Sequence, residues 1–233
     1  RDKLNLLLHA RRALINRDAL GVVGEVIDLH NLSHMPFGVE PEMSVNNRYL
    51  ARPHNLANLA AALAVAKEFG IDTAAALRAA EDFPPLPHRQ QEIGEIDGVL
   101  FVDDSISTTP EATIAALDVY CDRPVTVIVG GHDRGIDYTR LIERLGTAPK
   151  PGLVLMDASG KRIGKVLATA SRVETMDQAV AAARRITPVG GVILLSPAAP
   201  SYGRYRSFVE RGEDFARCVR NTDPDTSSPP YGD

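Results

Sequence analysis

Val99-Leu100-Phe101-Val102-Asp103-Asp104-Ser105-Ile106-Ser107-Thr108-Thr109-Pro110 runs from an unbroken apolar segment into two carboxylates and four hydroxyls, then into a proline suited to a first helical turn. An apolar run without polar alternation fits a strand covered on both faces. The same pattern occurs twice more: 125–129 ends in Gly130-Gly131-His132-Asp133-Arg134-Gly135, and 192–195 ends in Ser196-Pro197-Ala198-Ala199-Pro200-Ser201. In an open α/β sheet, ligands bind beyond the carboxyl ends of the strands. Three polar strand ends therefore predict one shared crevice.

Outward from these runs, strands are expected at 99–102, 125–129, 153–156 and 192–195, alternating with helices at 110–120, 138–145, 161–168, 176–186 and 205–219. Strand-helix repetition with buried strands predicts an α/β domain built on a doubly wound, mostly parallel sheet. The amino-terminal part is less regular. Residues 4–53 read as a helix-like start followed by short strands and turns, such as 22–29, interrupted by Pro36, Gly38 and Pro41, with no clear closed core. A helix is expected over 55–69, ended by Gly70 as a left-handed cap. Asp72 or Thr73 then caps a second helix to about residue 82. Phe83-Pro84-Pro85-Leu86-Pro87 cannot continue it, because proline lacks an N–H donor and fixes φ. This hinge divides the chain into expected domains at 1–86 and 87–220, with a polar tail at 221–233 expected to be disordered.

The chain has 233 residues, 44% hydrophobic and 24% charged, enough to bury a substantial core. Its formal net charge of -4 argues against a phosphate-backbone binder. Cys121 and Cys218 form no CxxC pair, which suggests a reducing, cytoplasmic setting. No apolar run approaches the roughly 18 residues of a membrane span. The start has neither an initiator Met nor a signal-peptide core, so the sequence reads as a piece of a longer chain.

The loop at 130–135 lacks both the GxGxxG and the GxxxxGK[ST] spacing. Arg134 offers a planar fork for a carboxylate or phosphate, or else a tight turn carries a solvated arginine. Thr109 reads as a helix cap. His54, Asn55 and Asn58 open a helix, where the two amides can read a purine edge or one of them can serve as an N-cap. His88-Arg89 is a phosphate holder or an ordinary linker pair. Asp103 and Asp104, being vicinal, should point to opposite faces, so at most one meets the crevice. Ser196 and His132 lack a GxSxG elbow, and the histidines show no metal spacing.

Taken in order, HNxxN opening a helix, LPHR after the hinge, the DS pair, GGxxRG and LSPxxxS resemble the Mur ligases, from Lys3 to about Val219. Within that family, DSISTTP, GGHDRG and LSPxAPS are similar to the branch that adds L-glutamate rather than D-glutamate to UDP-N-acetylmuramoyl-L-alanine in peptidoglycan synthesis. The resemblance implies residues 1–86 as the end of an ATP-binding domain and 87–220 as a Rossmann-like glutamate-binding domain. It implies ATP and Mg2+, an acyl phosphate route to the amide, and inactivity of this chain alone. By motif, Asn55 and Asn58 would face adenine, Arg89 the phosphates and Asp104 the ribose. Thr108, Arg134, Ser201 and Phe208 would surround glutamate, and Lys3, if carbamylated, would help hold magnesium. A D-glutamate ligase, a relative adding another amino acid, and a non-catalytic binding module remain alternatives.

Overall fold

The computed structural model describes residues 9–41, 43–167 and 170–221. The chain divides between Pro84 and Pro85 into two compact units.

In the first unit, β1 (Ala13–Asn16) pairs in parallel with β2 (His34–Phe37). Between them, the Asn16 side chain accepts the Asp18 N–H at 2.9 Å and starts a short turn that leads into α1 (Leu20–Leu29). The strand expected within 22–29 is thus corrected to a helix. Leu20, Val23 and Ile27 recur at helical spacing and pack with Ala13 and Ile15 into a small core, also against expectation. Next come α2 (Pro53–Glu68) and α3 (Thr73–Glu81), with Gly70 at φ 73° and the Asp72 carboxylate accepting the Ala75 N–H at 2.9 Å. Asn47 fixes the exit from α3. Its amide donates to the Glu81 and Phe83 carbonyls, each at 3.0 Å, while its oxygen accepts the Tyr49 and Leu50 N–H groups.

The second unit is a six-stranded sheet of β3 (Gln91–Ile96), β4 (Val99–Asp103), β5 (Val125–Val129), β6 (Gly152–Leu155), β7 (Ser171–Arg172) and β8 (Val192–Leu195). The spatial order is β3-β4-β8-β5-β6-β7, with only β3 antiparallel. The helices are α4 (Pro110–Val119), α5 (Thr139–Gly146), α6 (Asp157–Ile163), α7 (Met176–Ile186) and α8 (Phe208–Asn221). From β4 to β7 the chain steps one way along the sheet, and from β7 to β8 it steps back. With crossovers of one hand, that reversal puts α7 on the opposite face from α4 and α5. Leu117 and Leu141 pack on Val102, Val127 and Leu194, while Val180 and Phe215 pack on the other face with Phe101, Ile128 and Ile193. Each such fully buried side chain contributes roughly 1.5–3 kcal/mol.

Two strands were not foreseen. β3 is a polar edge strand with a register shift between Glu92 and Gly94, which hides any alternation, and β7 has only two residues. The helix expected at 161–168 instead begins at Asp157, because Gly160 interrupts its apolar pattern. α8 starts at Phe208 rather than 205, where the Ser207 hydroxyl accepts the Glu210 N–H at 3.2 Å. The tail at 222–233 lies outside the described residues. Among the described residues, no helix is long and apolar enough to cross a membrane.

Candidate functional site

Because β8 lies between β4 and β5, the carboxyl ends Asp103, Leu195 and Val129 are neighbours. Backbone hydrogen bonds continue past the strands. The Asp104 N–H donates to the Leu195 carbonyl at 2.8 Å, Gly130 to Pro197 at 2.9 Å and His132 to Pro200 at 2.8 Å. The three polar loops are therefore joined at one edge. The Ser159 hydroxyl, at the start of α6, accepts the Gly131 N–H at 2.9 Å and ties in a fourth segment. His88, Gln90, Asp157 and Ala198 have φ of 59°, 46°, 53° and 57°, so four of the six described non-glycine residues in the left-handed region border this edge. Such strained conformations concentrate at ligand sites.

Arg134 is exposed, and its Nη2 donates to the Thr108 carbonyl at 3.2 Å. Ser201 is buried and directly follows the Pro200 carbonyl that holds His132. Phe208 opens α8, its carbonyl accepting the Ser105 hydroxyl at 2.7 Å and its ring meeting His88 edge-on at 6.0 Å. The structure thus gathers the segments carrying Thr108, Arg134, Ser201 and Phe208.

Both vicinal aspartates are buried and engaged. Asp103 accepts from His88 Nδ1 at 2.7 Å and from the Ser105 N–H at 2.9 Å. Asp104 accepts the Ser107 hydroxyl at 2.6 Å, the Ser196 hydroxyl at 2.8 Å and the Gln90 N–H at 3.2 Å. At 1% exposure Asp104 faces the interior. Two hydroxyls and an amide reach its carboxylate from segments that enclose it. Ser196 is likewise buried, its hydroxyl on Asp104, while the His132 ring stacks edge-on against Tyr202 at 6.5 Å. That arrangement holds no hydrolase dyad.

Burial raises the Asp104 pKa from 3.8 to about 6, against the lowering effect of its three donors and of Arg89. The folded state therefore keeps a proton that the unfolded chain releases. Stability falls as pH rises from about 4 to about 6, by about 3 kcal/mol in all, and this contribution is flat above that window. Asp104→Asn should remove the slope, because the amide stays neutral throughout. Urea unfolding at pH 4, 5, 6 and 7 measures it, and an unchanged slope in the variant would refute the assignment.

A scan against protein-family models finds no match. A Micromonospora protein named UDP-N-acetylmuramoyl-L-alanine–L-glutamate ligase is 43% identical over 250 residues, covering 95% of this chain and 55% of that protein. A protein of the same name from Xanthomonas euvesicatoria is 42% identical over 175 residues, covering 71% of this chain and 37% of its own length. The chain belongs to the Mur ligase family. It spans about half the length of the curated relatives it matches. Its fold is shared with the Mur ligase MurF of Acinetobacter baumannii, at a TM-score of 0.66 and 17% identity over 90% of this chain and 51% of that one. It is also shared with a bifunctional folylpolyglutamate synthase/dihydrofolate synthase of Yersinia pestis, at a TM-score of 0.63 and 17% identity over 89% of this chain and 53% of that one.

The other positions suggested by the Mur pattern are placed differently. Arg89, in the second unit, is half-buried, and its buried Nε has no hydrogen-bond partner among the described residues. An orphaned guanidinium donor of this kind is chemically suited to a phosphate oxygen. In the first unit, Asn55 and Asn58 do not share an environment. Asn55 is buried and donates to the Tyr49 carbonyl at 2.8 Å, whereas Asn58 is exposed. Lys3 lies outside the described residues. Sequence reasoning missed Arg211, Asn47 and Ser159. Only Arg211 left a signal, as an arginine on the core-facing stripe of α8.

Proposed function

We propose that the protein carrying this chain joins L-glutamate to UDP-N-acetylmuramoyl-L-alanine by ATP-dependent amide-bond formation in peptidoglycan synthesis. The observation that carries this reading is the 43% identity, across 95% of the chain, to a protein named for that reaction. The gathering of Arg134, Thr108, Ser201 and Phe208 at one sheet edge supports it. Residues 87–220 are read as the glutamate-binding domain and 1–86 as the end of the ATP-binding domain. Two unpaired cysteines and a dependence on ATP fit a cytoplasmic enzyme.

In this reading, Arg134 presents its guanidinium fork to a glutamate carboxylate, Thr108 and Ser201 supply hydroxyls, and the Phe208 ring walls the site. Asn58 is available to an adenine edge, whereas Asn55 serves first to fix the start of α2. ATP, when bound, supplies the phosphoryl group that activates the acceptor carboxylate, and Mg2+ offsets phosphoryl charge. Arg89 would hold phosphate oxygens through the donor that has no partner among the described residues. The Mur resemblance gives Lys3, if carbamylated, a part in holding magnesium.

The test is ligation by the full-length protein with UDP-N-acetylmuramoyl-L-alanine, ATP, Mg2+ and each glutamate enantiomer, read as product mass and phosphate release. Product from L-glutamate is expected. Product from D-glutamate alone would reject the branch, and none from either would reject the reading.

A further inference from the structure

Arg211 lies among the buried positions of α8, with Gly212, Phe215, Cys218 and Val219, and is only 2% exposed. Its Nε donates to the Ser105 hydroxyl at 3.0 Å and its Nη2 to the Ser105 carbonyl at 2.8 Å, while Nη1 and Nη2 both reach the Ala199 carbonyl at 3.1 Å. None of these partners is a carboxylate, and burial lowers the Arg211 pKa to about 10. Burying a cation on neutral acceptors is costly, and a neutral side chain would fill the space without that cost. A planar fork, however, can hold two separate loops at a fixed spacing, which no apolar side chain can do.

We infer that Arg211 is a positioning residue of the amino-acid crevice, clamping the β4 loop that carries Thr108 to the β8 loop that carries Ser201. The inference rests on the ligase reading and adds a residue to its glutamate site. Ser105 lies three residues before Thr108 and Ala199 two before Ser201, so a shift at either carbonyl moves the hydroxyl beyond it. The next residue extends the clamp. A Cβ built on Gly212 would run into His88 Nδ1 and the Asp103 carboxylate, so the absent side chain lets α8 seat that hydrogen-bonded pair. The Asp103 carboxylate also accepts the Ser105 N–H, which brings His88, the neighbour of Arg89, into the same framework.

The test uses the full-length protein and reads KM for glutamate and for ATP, kcat and melting temperature. Arg211→Lys keeps a cation but loses the fork. It should raise the glutamate KM about tenfold or more, with the ATP KM within about twofold, since small misplacements of substrate-holding groups are strongly felt. Ser105→Ala removes only the Nε acceptor and the Phe208 tether, and should raise the glutamate KM about threefold or more. Phe215→Leu, a core change on the same helix, should lower the melting temperature without a glutamate-selective effect. If Arg211→Lys fails to fold, Ser105→Ala carries the same prediction. Equal shifts of both KM values in Arg211→Lys, or an unchanged glutamate KM in Ser105→Ala, would overturn the clamp alone. A wild-type protein that ligates no glutamate would overturn the functional reading and the clamp with it.

Discussion

Arg134→Ala is expected to lower kcat/KM for glutamate about 30- to 150-fold while leaving the ATP KM within about twofold, because a charge-assisted contact to a carboxylate is worth roughly 2–3 kcal/mol. The side chain is exposed, and one of its five N–H donors reaches the Thr108 carbonyl among the described residues. Its loss should therefore cost little stability, with the melting temperature changing by no more than about 2 °C. Arg134→Lys separates charge from shape. If a bidentate fork orients the carboxylate, lysine should recover only part of the loss. Steady-state kinetics with glutamate and ATP varied in turn give the comparison. Equal effects on both substrates would remove Arg134 from the glutamate site.

Gly130→Ala should destabilise the second unit by about 3 kcal/mol or more. Two causes act together. Gly130 has φ 138°, a conformation L-residues rarely adopt, and a Cβ there would run into the Met156 carbonyl oxygen at the end of β6. That backbone cannot easily withdraw, because the Met156 N–H donates to Val129 and its carbonyl accepts from Gly160. Gly135→Ala is the control. Its φ of 74° carries the conformational penalty, but the space around it is open, so about 1 kcal/mol is expected. Urea midpoints followed by circular dichroism would rank the two, and similar midpoints would show that steric contact with β6 is not decisive.

The unbroken apolar runs ending at Asp103, Val129 and Leu195 were enough to specify buried parallel strands and a polar edge, since a strand covered on both faces has no other composition available. The Pro110 and Thr109 helix start, the Gly70 cap and the Asp72 cap were equally legible, because each is set by chemistry within four residues. Where burial comes from one side only, or from a distant segment, the local pattern misleads. α1 was taken for strand because Val22, Val23, Val26 and Ile27 are β-branched and Gly21 and Gly24 weaken a helix, and β3 passed unnoticed because an edge strand needs no apolar face. Asp104 carried the same local signature as a ligand-binding carboxylate. Ser196 and Gln90, 92 and 14 residues away in sequence, hold it inward, and the burial that results, not their hydrogen bonds, raises its pKa.

What the sequence determined by itself is the set of strand ends and the polar groups they deliver, along with the ordered motifs of the Mur family. What the tertiary structure decided is which of those groups remain accessible. β8 returns between β4 and β5, and α8 packs behind their ends, so long-range hydrogen bonds from Arg211, Ser196 and His88 bind some polar side chains into the interior and leave Arg134 at the crevice. The physical reason is that periodicity records which face of an element is covered, whereas the partner of a buried polar group is set by segments far away in the chain.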